Sequence, residues 1–381
     1  MVLFVGYKGE NMRTYNVGML GFGFMGKMHT YSYATIPFHY GQMPVKINLK
    51  MVCTNTAESG KIACEQYGFE KNTTNIDEFF NEDLDIIHIC TPNLLHKDQI
   101  LRCIEKGAHI YCEKPMTTNF EDAVEIYNKI SQTDTKFQMV YNYRFFPCVL
   151  LAKEILKSND FGEILNVRAK YLSNANLAKL ATWRTAGENQ GGVLFDLGSH
   201  AVDMIMHLCG DIKQVNGNVF KLNDEVILKN GDKTKATQND GFISMIQLEN
   251  GARGVIEANK ISQGANNDFS VEINLEKGAL KFNIDDPNWL YVYNAYDKDG
   301  DFGGDRGFKK IECLNKYNEI SFPSPKHNIG WSSSHVHSLY LFLDSIKNNT
   351  KSVASIEESI RVQKVLDCII FSHEINGIVD L

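Results

Sequence analysis

Short apolar runs alternate with helix-length stretches through the first part of the chain, and that alternation carries the first structural expectation. Strands are predicted at Tyr15 to Leu20, Asn48 to Cys53, Asp85 to Cys90, His109 to Cys112 and Lys136 to Tyr141. Between them fall helices from the first glycine turn to about Pro37, then Ala57 to Tyr67, Ile76 to Phe80, His96 to Gly107 and Thr118 to Ser131. Five strands separated by helices predict a doubly wound parallel sheet of the α/β class.

The rest of the chain has a different rhythm. After a helix from Cys148 to Ser158 and a strand from Ile164 to Leu172, strand patterns dominate from Val215 onward. They cover Gly241 to Leu248, Gly254 to Lys260, Phe269 to Leu275, Gly278 to Ile284 and Leu290 to Tyr293. Asn230-Gly231 and Asn250-Gly251 are hairpin-type turns. Helices over Ser334 to Lys347 and Ile356 to Ile375 end the chain, so an α+β domain follows the α/β one. The predicted division is an extension over 1–13, an α/β domain over 14–146 and an α+β domain over 147–381, whose last helices are free to pack back on the first. Met12 would serve as an alternative start. The glycine- and aspartate-rich stretch Asp297 to Gly307 is expected to be a mobile loop.

Composition narrows the classes. A chain of 381 residues suits two cores. Net charge is −7 with no basic block, which argues against nucleic acid. No apolar stretch reaches the roughly 18 residues of a membrane span, and the N-terminus lacks the basic region of a signal peptide. The nine cysteines form no CxxC, and Cys53, Cys90 and Cys112 lie in or at the end of apolar runs. A reducing cytoplasm without disulfides or structural zinc is expected.

Candidate chemistry starts at Gly21-Phe22-Gly23-Phe24-Met25-Gly26, which follows the first strand at once and opens a helix. In that context the glycines allow a tight turn, approach of backbone to a pyrophosphate, and close helix–strand packing. At the end of the second strand stand Thr54 and Asn55, where an acid often binds the ribose of NAD. Its absence leaves NAD and NADP both open, with NAD slightly favoured. Thr91, Pro92, Asn93 and His96 follow the third strand and face the crevice, or else make an ordinary turn. Cys112-Glu113-Lys114-Pro115 places a lysine at a strand end, where ligands of open α/β sheets bind.

The stretch from Gly191 to Gly210 reads as one helix. Leu194, Leu197, Ala201, Met204 and Leu208 form its apolar stripe, and Asp196, His200, Asp203 and His207 a polar one. That polar stripe lines a cleft or is a solvated face. Gly198, costly within a helix, marks close approach of a ligand or tight packing. No further ligands complete a metal site around the Asp–His pair, so no metal is expected.

Together with Tyr141-Asn142-Tyr143-Arg144, Trp183-Arg184 and GGVLFDLGSH, these motifs occur in the order found in the Gfo/Idh/MocA oxidoreductases, the glucose-fructose oxidoreductase and inositol dehydrogenase family, which the chain resembles from about Thr14 to its last helix. The resemblance implies a Rossmann domain joined to an α+β domain with a large, mostly antiparallel open sheet that commonly makes subunit contacts. It therefore implies a dimer or tetramer. It also implies oxidation of a secondary alcohol of a sugar, cyclitol or glycoside with NAD or NADP. Lys114, Asp196 and His200 match the catalytic triad, and Pro115 the proline beside the lysine. Glu113, Asn93 and His96 match cofactor contacts. Asn142, Arg144, Trp183 and Arg184 match positions lining the nicotinamide or substrate region. Thr54, the long connection with His39-Tyr40, and the Asp297 to Gly307 loop depart from the family pattern.

Chemistry suggests the division of labour. His200 suits the base that takes the hydroxyl proton, Asp196 orients the network, and the Lys114 ammonium stabilises developing alkoxide, although lysine and histidine could exchange roles. Oxidation at C3 of a glycoside is the specific expectation. Rival expectations are a glycosidase or isomerase that uses transient oxidation by bound NAD, and a non-enzymatic nucleotide-binding regulator. Asn174, Asn176, Asp240, His335 and His337 are further polar candidates for the pocket.

Overall fold

The computed structural model describes residues 13–186, 192–298, 306–313, 317, 320–324 and 327–381. The N-terminal extension, Gly191 and most of the Asp297 to Gly307 loop lie outside the described residues. The chain divides into two compact units: 1–142 with 317–327 and 331–360, and 143–316 with 328–330 and 361–381.

The first unit is built on a parallel sheet. Its strands are β1 (Thr14–Leu20), β2 (Lys46–Cys53), β3 (Lys71–Thr73), β4 (Ile86–Ile89), β5 (His109–Cys112) and β6 (Phe137–Met139), in the order β3-β2-β1-β4-β5-β6. The helices are α1 (Phe24–Tyr40), α2 (Ala57–Tyr67), α3 (Ile76–Asn81), α4 (His96–Lys106) and α5 (Phe120–Ile130). The sheet thus has six strands rather than five. The extra one, β3, is Lys-Asn-Thr at an edge with only Thr73 buried, so it carries no apolar run. It is fixed by its parallel pairing with β2.

One other departure has a local cause. The first helix runs through Pro37 to Tyr40 and ends on Gly41 at φ 73°, so His39 and Tyr40 form its last turn instead of a long connection. The His39 carbonyl accepts from the Ser321 amide at 2.6 Å, which satisfies an acceptor of that last turn. Far along the chain, α9 (Trp331–Asn348) supplies Val336, Leu339, Phe342, Leu343 and Ile346 to the core around Val17, Ile36 and Ile86. Their spacing of three and four makes one apolar face, and Tyr40 stacks on Tyr340 with ring centroids 3.7 Å apart.

In the second unit, α6 (Pro147–Ser158), β7 (Ile164–Leu172), α7 (Trp183–Ala186) and α8 (Ser199–Cys209) precede a long run of strands. These are β8 (Ile212–Phe220), β9 (Glu225–Ile227), β10 (Lys233–Lys235), β11 (Gly241–Leu248), β12 (Arg253–Asn259), β13 (Asp268–Leu275), β14 (Gly278–Asn283), β15 (Trp289–Asn294), β16 (Lys309–Glu312) and β17 (Val379–Asp380), with α10 (Ile356–Ile375) before the last. The large sheet has the order β16-β15-β14-β13-β7-β12-β11-β8-β17, and only its β7–β12 pair is parallel. Burial alternates along β7, β12 and β13, as expected when one face is covered and the other open. Helices α6 and α8 lie against the covered face. Arg168, Lys170, Glu257, Glu272, Lys281 and Tyr291 line a concavity on the large sheet.

The helix predicted over Gly191 to Gly210 is broken in character: a π turn over Leu194–Gly198 precedes α8. At Gly198 an added Cβ would stand 2.6 Å from the Phe242 ring, so tight packing accounts for that glycine.

Candidate functional site

In the first unit the glycine turn has the form a dinucleotide needs. Gly21 has φ 88°, and a Cβ there would meet the Cys90 carbonyl oxygen at 2.8 Å. A Cβ on Gly26 would be 2.4 Å from the Gly21 oxygen, so the third glycine lets helix and turn close. Gly23 has nothing within 4 Å of its Cβ position, leaving bare backbone where a phosphate can approach. As N-cap of α1 it offers no side-chain acceptor, and the helix's first amides keep their capacity for an anion. Phe24 is 74% exposed at this turn, whereas Phe22 is buried edge-on to Tyr67 and Phe69. Met25 is half-buried. These residues fit a dinucleotide cofactor.

The other strand ends are mutually braced. Thr54 is buried and its hydroxyl donates to the Thr56 carbonyl at 2.8 Å, while Asn55 is exposed; no carboxylate stands at the end of β2. The Thr91 hydroxyl donates to Gln99 at 2.6 Å, Pro92 is half-buried and Asn93 is buried. His96 lies between the Pro115 carbonyl at 2.8 Å and the Thr91 carbonyl at 2.9 Å, tying the β4 loop to the β5 loop. Burial lowers its pKa, against the pull of both carbonyls. Its ring therefore serves the placement of Pro115, which follows Lys114 through a cis peptide bond. Lys114 itself is half-buried. The Asn142 amide donates to Ser334 of α9 at 3.2 Å.

Glu113 ends a buried chain that the motifs did not reveal. His29 Nε2 is 3.1 Å from Glu113 Oε1, His29 Nδ1 is 3.0 Å from His88 Nδ1, and His88 Nε2 is 2.8 Å from the Tyr33 hydroxyl. If the carboxylate accepts from His29 Nε2–H and both rings are neutral, His88 must donate from Nδ1 and accept from Tyr33, and every partner is satisfied. Burial drives the His88 pKa well down, with His29 adding to it. Burial also pushes the Glu113 carboxyl up, but the hydrogen bond from His29, helped by the Lys114 charge, outweighs it and holds it below its ordinary value. The visible signal was a histidine within the otherwise aliphatic strand Ile86-Ile87-His88-Ile89.

In the second unit the expected polar stripe divides among separate partners. Asp196 Oδ2 accepts from the Lys260 ammonium and lies 3.4 Å from Arg184 Nε. His200 is buried with its ring centroid 4.6 Å from that of Tyr143. Tyr143 and Tyr171 hydroxyls are 2.8 Å apart, and Tyr171 donates to Asn267 at 2.7 Å. Asp203, by contrast, takes a fork from Arg144, which is 2% exposed. Arg144, expected to line the substrate region, is thus committed to a buried ion pair. His207 accompanies Lys153, which donates to its carbonyl at 2.8 Å, and burial lowers its pKa well below normal. The π turn at Leu194–Gly198 departs from the regular helical periodicity on which a single polar stripe depends. The side chain of Trp183 lies outside the described residues.

Lys260 is the residue the motifs missed most clearly. Gly254, Ile256 and Ala258 are buried along β12, and Lys260 has the same parity one step past its end. A lysine in register with an inward row is a legible signal. Of the other polar candidates, Asn176 donates to Asp240 at 2.7 Å, and Asp240 also accepts the Leu222 and Asn223 amides. Asn174 is half-buried. His337 stacks on Tyr317 at 4.4 Å, and burial takes its pKa down to about 3. Among the described residues no cluster of three His, Cys, Asp or Glu could hold a metal ion, and no helix is long and apolar enough to cross a membrane.

With these positions in place, comparison with known proteins is direct. A levoglucosan dehydrogenase of Pseudarthrobacter phenanthrenivorans is 28% identical over 97% of this chain and 99% of that protein. A glucose-6-phosphate 3-dehydrogenase of Bacillus subtilis is 25% identical over 92% of this chain and 94% of its own length. The structure of levoglucosan dehydrogenase in complex with NADH and levoglucosan superposes with a TM-score of 0.91 at 28% identity, covering 97% of this chain and 99% of that one. Residues 15–141 match the oxidoreductase family with an NAD-binding Rossmann fold, and residues 149–281 match the GFO/IDH/MocA C-terminal domain. The chain belongs to the GFO/IDH/MocA family of oxidoreductases.

Proposed function

We propose that the chain oxidises a secondary hydroxyl of a sugar or glycoside, at C3 of a pyranose ring, using NAD in preference to NADP. The observation that supports it most is the glycine turn, with bare backbone at Gly23 and closely packed glycines on either side. The names of the two relatives, a levoglucosan dehydrogenase and a glucose-6-phosphate 3-dehydrogenase, support the substrate class and the ring position. When bound, the nicotinamide dinucleotide supplies the hydride acceptor.

The residues divide the remaining work by their chemistry. The α1 amides and Gly23 hold the pyrophosphate, and Asn93, Glu113 and the loop braced by His96 bound the crevice. His200 takes the hydroxyl proton, because an imidazole is the side chain best matched to that transfer near neutral pH. The Lys114 ammonium lowers the alcohol's pKa and stabilises negative charge on its oxygen. Asp196, held by Lys260 and Arg184, is fixed as an acceptor for a substrate hydroxyl or for the proton network. The enzyme works in the cytoplasm as a homo-oligomer, joined through the open face of the large sheet.

The test is a screen of NAD and NADP against levoglucosan, methyl glucosides, glucose 6-phosphate and inositols, followed by nicotinamide absorbance. Reduction with an anhydrosugar or glycoside, and a C3 ketone by NMR, is the expected result. No net reduction with any of them, with cofactor remaining bound, would point instead to transient oxidation.

A further inference from the structure

Helix α9 brings an aromatic ring and a histidine to the glycine turn. Trp331, its first residue, stacks on the exposed Phe24 with centroids 5.5 Å apart and planes at 25°. One turn later His335 packs edge-on to Trp331 at 4.4 Å, and its ring lies 6.5 Å from that of His29. His335 is 2% exposed, and neither of its ring nitrogens has a hydrogen-bond partner. A buried polar atom left this way carries a desolvation cost that no bond offsets.

The polar groups around it are already committed. His29 is engaged by Glu113 and His88, Ser334 takes the Asn142 amide, and Ser338 bonds to Tyr111 and Gln138. The bonds of Ser334 and Ser338 anchor α9 to the strand ends, while both ring nitrogens of His335 keep bonding capacity to spare. Burial lowers its pKa to about 3, so near neutral pH it is uncharged and offers one donor and one acceptor. Glu113 lies close enough to act on it electrostatically.

We infer that Trp331 and His335 are part of the dinucleotide site, Trp331 closing with Phe24 over the glycine turn and His335 bonding, together with Glu113, to the hydroxyls of the nicotinamide-side ribose. This rests on the proposed use of a nicotinamide dinucleotide. Strand order assigns the side: the turn at the end of β1 lies between β2, whose end carries Thr54 and Asn55, and β4 with β5 beyond, whose end carries Glu113 and Lys114. The adenine side therefore falls toward β2 and the reacting side toward Glu113. A ribose diol matches this pair, since a carboxylate accepts from one hydroxyl while an imidazole can both donate and accept.

Calorimetric titration of the full-length protein with NADH and with ADP, which lacks the nicotinamide riboside, tests the inference. For His335→Leu, NADH affinity should fall about tenfold while ADP affinity stays within about twofold. His335→Asn, which keeps a donor and an acceptor, should lose less. NADH binding within about twofold of wild type in His335→Leu overturns the inference, as does equal loss of NADH and ADP, which marks a structural role. Gly23→Val separates the two levels. If it loses both ligands while His335→Leu binds normally, only this inference fails. If wild type binds neither, or Gly23→Val binds both normally, the dinucleotide reading fails and takes the inference with it.

Discussion

Asp196 is held by two cations of its own unit, and that changes what a mutation there would mean. Lys260 is only 12% exposed on its side chain and Asp196 18%, so the pair is shielded from solvent more than a surface bridge is. Lys260→Met should remove the ammonium from the carboxylate and loosen its placement, leaving the Arg184 contact at 3.4 Å. The expected result is a kcat about tenfold lower, equal to about 1.4 kcal/mol of barrier, with NADH affinity unchanged. Lys260→Arg should recover most of that loss. Steady-state kinetics beside a binding titration check it, and an unaltered kcat in Lys260→Met refutes the positioning role. The proposed acid–base groups give a sharper outcome. Lys114→Met or His200→Ala should abolish turnover while cofactor binding largely survives, and near-normal rates in either would remove that residue from the chemistry.

At the scale of elements, the π turn and α8 show packing deciding between the two reasons the sequence offers for Gly198. An alanine at Gly198 gains helix propensity of about 1 kcal/mol but drives a methyl into the buried Phe242 ring, and overpacking of that kind costs about 1–3 kcal/mol. Gly198→Ala should therefore melt earlier than wild type by calorimetry, and Phe242→Leu in the same chain should recover part of the loss. An unchanged Tm would contradict the packing account. The same contrast explains what was legible beforehand. The core strands of the first sheet and the glycine turn were readable because each carries its signal locally, as apolar runs or as Gly21, Gly23 and Gly26. Strand β3 was not, because a polar edge strand is defined by its ladder to β2. The partners of Asp203 and His207 were not, because helical periodicity groups residues by angle while Arg144 and Lys153 choose among them from elsewhere in the fold. Trp331 is likewise silent in the sequence, since its pairing with Phe24 joins residues about 300 positions apart.

For the molecule as a whole, buried histidines set the acid limit of stability. Burial lowers the pKa of His88 and His207 well below normal and brings His335 and His337 down to about 3. The unfolded chain takes up these protons near pH 6.5, whereas the folded chain resists them, so below about 6.5 the unfolded state binds more protons and stability falls with pH. Each such group contributes up to about 1.4 kcal/mol per pH unit in that window. Glu113 adds in the same direction at lower pH, because its folded pKa is depressed: its contribution is present above the ordinary carboxylate range and is lost on acidification. At the alkaline end Tyr33, Tyr171 and Cys90 are raised by burial, so ionisation of the unfolded chain erodes stability above about pH 9. A plateau in Tm between about pH 7 and 8.5, with a steep fall below about 6, is the expected profile. The histidines lie in both units, so a melt resolved into two transitions should show the acid fall in each, His207 driving one and His88, His335 and His337 the other. Tm values flat from about pH 7 to 5 would mean that His88, His207, His335 and His337 protonate without penalty, which would contradict the burial account.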